Sequence, residues 1–83
     1  DTAVALKDSI VKNNEAFLNQ TVAVFGVVTF IDDHSITLDD ALVAQFGNRP
    51  AVQLNQQLTL KGRCIGYDDL FEVVVLDQST MMD

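Results

Sequence analysis

One cysteine, one proline, no tryptophan and five strong bases are all that 83 residues contain of those classes, and each scarcity excludes something. A lone Cys64 rules out an internal disulfide framework and a thiolate zinc site, since both need several cysteines at set spacings. Its expected role is that of most free cysteines, a buried structural thiol. No apolar run approaches the roughly eighteen residues a membrane span requires. Lys7, Lys12, Arg49, Lys61 and Arg63 stand against twelve acids, for a net charge of −7 and a pI near 4.2. That balance disfavours a basic nucleic-acid module. What is abundant is apolar: 48% hydrophobic residues exclude an acidic disordered tail and point to one compact domain over 1–83. The chain opens on Asp1 rather than Met, so the expectation is that its original start was removed by processing or truncation, with room there for a signal or lipoprotein leader.

Val4, Val11 and Leu18, with Leu6, Ile10 and Phe17, recur at spacings of three, four and seven, which predicts a helix over about 2–16. Asp1 and Thr2 offer its N-cap, and the Asn13-Asn14 pair weakens the pattern, so the end is expected between Asn14 and Leu18. From Thr21 the sequence turns β-branched and aromatic, predicting a long first strand to Ile31 with both faces apolar. Gly26 at its middle marks a bend or bulge. Further strands are predicted at Ser35–Asp39, Ala41–Phe46, Gln57–Ile65 and Leu70–Asp77. The third and fourth are separated by a loop at Gly47-Asn48-Arg49-Pro50, and Ala51–Leu54 reads equally as a short strand or a helical turn. Along the fourth strand Leu58, Leu60, Gly62 and Cys64 should point inward and Thr59, Lys61 and Arg63 outward. Five strands, the first kinked by glycine, and one helix to plug an open end predict a small closed all-β barrel, about 21–78.

Two stretches, Phe17 through Val28 and Lys61-Gly62-Arg63-Cys64-Ile65-Gly66, resemble the opening and fourth strands of the tRNA_anti-like family of bacterial OB-fold domains. Asn14-Glu15-Ala16 resembles the end of that family's leading helix. The resemblance covers nearly the whole chain, and its motifs of hydrophobic alternation and glycines speak for fold rather than activity. It implies a five-stranded Greek-key OB-fold barrel whose helix precedes the first strand. It also implies a small envelope-associated or lipoprotein-like protein with no catalytic residues to carry over, hence a periplasmic or envelope location, with the cytoplasm left open.

OB-folds bind through their second and third strands, flanked by the loops joining strands one to two and four to five. Those loops are expected at Asp32-Asp33-His34 and Tyr67-Asp68-Asp69, an acidic rim. Lys61 and Arg63 on the outer face of the fourth strand, Tyr67 as a stacking ring and His34 are the candidate ligand-binding residues. Two cations against four local carboxylates are poorly suited to a phosphate chain, so single-stranded nucleic-acid binding is the alternative and a protein partner the first expectation. The aspartate pairs read as turn chemistry rather than a metal site, without the spacing of a calcium loop. His34 beside Asp32, Asp33 and Ser35 is adjacency rather than a catalytic triad, and no glycine-rich phosphate loop occurs. The expectation is therefore no enzyme, no metal and no cofactor, with oligomeric state unread. Phe17, Phe25, Phe30, Phe46 and Phe71 are assigned to packing by default. Phe25 and Phe71, however, share strand faces opposite Val24 and Leu70, so one of each pair lies outside the barrel. A Phe or Val stripe left uncovered there would mark a protein-contact surface.

Overall fold

The Thr2 hydroxyl accepts the Ala5 N–H at 3.1 Å and starts helix α1, Ala3–Lys12. The computed structural model describes residues 2–48 and 50–82; Asp1, the other N-cap candidate, and Arg49 of the expected loop lie outside them. Ala3, Leu6 and Ile10 form a single buried row, while Val4, Val11 and Leu18 are exposed. The buried stripe is thus narrower than the sequence suggested. The helix also ends earlier, because Asn13 leaves helical φ at −152° while its N–H still closes on the Ser9 carbonyl. A short 3₁₀ turn, Asn14–Ala16, follows.

Five strands follow: β1 Thr21–Ile31, β2 Ser35–Leu38, β3 Leu42–Gln45, β4 Gln57–Asp68 and β5 Val73–Met82. They close into a barrel in the order β1-β2-β3-β5-β4, antiparallel throughout except for the parallel β3–β5 pair. This is an OB-fold-like barrel with its helix at the N-terminus. β1 serves two neighbours, pairing with β4 over Thr21–Val27 and with β2 from Val28 onward. Alternate residues fill the interior: Val24 and Val28, Ile36 and Leu38, Leu42 and Ala44, Leu60 and Cys64, Val74 and Leu76. The α1 row completes that core. Among the described residues no helix is long and apolar enough to cross a membrane.

The β2–β3 connection is the tight turn expected at Asp39-Asp40. Both residues take φ of 53°, and the Ala41 N–H closes on the Leu38 carbonyl at 2.9 Å. Ala51–Leu54 is neither strand nor helical turn; Asn55 and Gln56 beyond it bond instead to the backbone of Val28.

The main departure from the sequence reading concerns β4 and β5. Gly66-Tyr67-Asp68-Asp69 is not the turn: β4 runs on through Asp68, and the connection is residues 69–72. Gly66 adopts φ of 137°, a conformation open to glycine and strained for other residues, and the register shifts between Cys64 and Gly66. That bulge lets the strand continue where a turn was expected. The chain reverses later because the Asp68 carboxylate accepts the N–H groups of both Leu70 and Phe71, and Glu72 takes φ of 57°.

Candidate functional site

Of the sequence-predicted ligand residues, Lys61 and Arg63 share a hollow on the outer face of β4, while Tyr67 and His34 each lie elsewhere. Lys61 is exposed at mid-β4, between Ala23 of β1 and Thr80 of β5. Arg63, on the same outer face, is already engaged: its Nε and one terminal nitrogen donate to the two carboxylate oxygens of Asp77 at 2.9 and 2.6 Å. The pair holds the Arg63 guanidinium above and the Asp77 carboxyl below their ordinary pKa values, in each case through that hydrogen bond first. The bulge after Cys64 turns Tyr67 toward the barrel, where it packs half-buried against the core opposite Val74. Burial first, then the charges of Glu72, Asp69 and Asp68, push its phenol pKa up. Its ring is therefore partly taken up by packing and also lines an open hollow beside Asp68, Asp69 and Leu70. His34 sits in the β1–β2 loop, in a separate shallow hollow shared with Gln45 and Phe46. Cys64 is fully buried, as expected, and burial pushes its thiol pKa up.

A better-formed concavity lies on the outer face of β2, β3 and β5. Cα partners run from Phe30 to Thr37, from Thr37 to Val43 and from Val43 to Val75, one row across four strands. Thr37, Val43 and Val75 each fall between two buried residues, so strand alternation sends all three outward. Next to this row Val73 stands opposite Asp68. Together these residues line an open groove of about 570 Å³, with Phe30 on the β1 side and Phe71 on the β4–β5 loop. Phe30 is 59% exposed, Phe71 72% and the neighbouring Leu70 83%, high values for large apolar side chains. Asp40 and Asp68 supply the carboxylates of the lining, and no described cation lines it.

The turn that carries Asp40 is fixed from beneath. Thr29 Oγ accepts the Asp40 N–H and donates to the Thr37 carbonyl, while Asp39 Oδ1 accepts the Val27 N–H across to β1. That crossing uses the space at Gly26, where a Cβ would stand 2.8 Å from Asp39 Oδ2. Among the described residues no three His, Cys, Asp or Glu side chains cluster in a way that could hold a metal ion.

Phe71 was marked by the sequence as a side chain that could lie outside the barrel, and it is exposed; Phe30 was assigned to packing and Val43, Val73 and Val75 were left unassigned, yet a signal was present. Val73-Val74-Val75 and Phe30-Ile31 break the apolar–polar alternation of a half-buried strand, so some of these side chains must face outward. α1 packs against the barrel interior and not on this face, where Val43 and Val75 are half-buried and Val73 is largely covered by its neighbours. No family model, curated protein or solved structure matches the chain.

Proposed function

We propose that this domain is a non-catalytic binding module whose ligand is a protein, received in the groove on β2, β3 and β5. The exposure of Phe30 and Phe71 on either side of a valine floor carries the reading. Exposed aromatics around an apolar floor are the usual composition of a protein contact. The lining side chains suit contact rather than proton transfer, and His34 lies in a different hollow. The resemblance to tRNA_anti-like domains supports a place in the bacterial envelope.

Single-stranded nucleic acid is the second reading, because two exposed rings on this face of such a barrel are what base stacking uses. The groove, however, presents carboxylates where phosphates would lie, and Arg63 is held by Asp77. Fluorescence anisotropy of a labelled mixed-sequence single-stranded oligonucleotide, titrated at low and then raised salt, separates the two. The protein-binding reading expects no saturable signal at either salt. Saturable binding that fades steeply with salt would replace it with the nucleic-acid reading.

A further inference from the structure

We infer that the groove takes an extended peptide segment in which a bulky apolar side chain is flanked by lysine or arginine. This inference rests on the protein-binding reading above and specifies its partner. Charge complementarity selects the occupant. The floor is Val43, Val73 and Val75, and the carboxylates around it come from separate elements: Asp40 on the β2–β3 turn and Asp68 at the end of β4. Asp69 and Glu72 on the β4–β5 connection extend the same sign beyond them, and their field already reaches Tyr67. Asp32 and Asp33, at the other end of β2, lie outside the lining and beside the separate hollow of His34. The described cations, Lys7, Lys12, Lys61 and Arg63, all lie on α1 or β4 and outside the lining. An apolar side chain settling on the valines therefore brings its neighbours near the Asp40 and Asp68 carboxylates, which share the end from which the parallel strands β3 and β5 start. Basic neighbours are attracted there, and acidic ones are repelled.

The shape favours a chain over a small organic cation. Three strand spacings from Phe30 to Val75 make the row about 14 Å across, the reach of about four extended residues. The groove is open along its length, whereas small-molecule sites bury most of their ligand. A polyamine carries no bulky apolar group to fill the space between the two phenyl rings.

The test uses three fluorescein-labelled decapeptides: a Leu-Phe pair flanked on each side by two lysines, the same peptide with glutamate for every lysine, and the lysine peptide with Ser-Ser at its centre. Each is titrated into the protein by anisotropy and by amide chemical-shift mapping. The lysine Leu-Phe peptide is expected to shift the amides of Val43, Val73 and Val75 and to bind at least about tenfold more tightly than either control. Its affinity should fall severalfold between about 0.05 and 0.3 M salt. Asp40→Asn combined with Asp69→Asn should weaken it at least about threefold, and Phe71→Ser about tenfold, with the thermal midpoints unchanged. Equal binding of the glutamate peptide in the groove would overturn the charge assignment and leave the protein-binding reading standing. Failure of all three peptides to perturb the groove would overturn this inference, and saturable oligonucleotide binding would overturn the protein-binding reading itself.

Discussion

Gly62 is buried in mid-β4, and a Cβ added there would lie 2.6 Å from Ser79 Oγ and 3.1 Å from the Asp77 carbonyl. Gly62→Ala should therefore destabilise the domain by about 1–3 kcal/mol in urea unfolding. Among the described residues the buried Ser79 Oγ has no hydrogen-bond partner, so Ser79→Ala should be neutral or stabilise by about 1 kcal/mol. The double variant should recover part of the Gly62→Ala loss, because the nearest clashing atom has gone; strict additivity would contradict the contact. Asp39 combines two demands, a positive φ and a carboxylate that meets the Val27 N–H at 3.1 Å. Asp39→Ala fails both and should cost about 1–3 kcal/mol, whereas Asp39→Asn, which tolerates that φ and retains an acceptor oxygen, should cost clearly less. Asp77 adds a pH dependence. Its folded-state carboxyl is held below its unfolded value by Arg63, so the stability it contributes is present above the unfolded pKa and is lost as pH falls through the folded one. The gap in thermal midpoint between the native chain and Asp77→Asn should be widest near neutral pH and close in acid. The half-exposed setting, 41% and 23% for the two side chains, keeps that gap small and salt-sensitive.

At the scale of elements, α1 matters through one row. Leu6→Ala or Ile10→Ala removes a fully buried side chain from the end of the barrel and should cost about 2–5 kcal/mol, while Val4→Ala and Val11→Ala on the exposed side should change stability by less than about 0.5 kcal/mol. Equal losses at the two sets of positions in thermal unfolding would contradict the narrow stripe. The helix and all five strands were legible in the sequence because hydrophobic period and turn residues agree at Thr21–Ile31, at Ser35–Leu38 and around Asp39-Asp40. The β4–β5 boundary was not. Gly66-Tyr67-Asp68-Asp69 has the composition of a turn, but tertiary pairing of Gly66, Tyr67 and Asp68 with Val75, Val74 and Val73 holds the segment extended. Local composition cannot register a bulge whose reason is the partner strand. The consequence reached the site: the same bulge turns Tyr67 inward and moves Leu70 and Phe71 from a strand to the loop beside the groove.

For the whole molecule, a net charge of −7 and the acidic loops that carry much of it were readable from the sequence. The acidic loops foreseen around the β2–β3 face are present, displaced by a few residues on the β4–β5 side. The cations Lys61 and Arg63 lie where the sequence reading put them, on the outer face of β4, along the β1–β4–β5 flank with Thr21 and Thr80. The candidate site was thus legible as a face and a charge, whereas its apolar floor depended on where α1 packs. The most direct measurement of the central claim is a side-by-side amide chemical-shift titration of the full chain with the lysine-flanked Leu-Phe peptide and with the single-stranded oligonucleotide. Shifts are expected at Val43, Val73, Val75 and Phe71 with the peptide and none with the oligonucleotide. Shifts centred on Lys61 and Arg63 with the oligonucleotide, and a silent groove with the peptide, would contradict that claim.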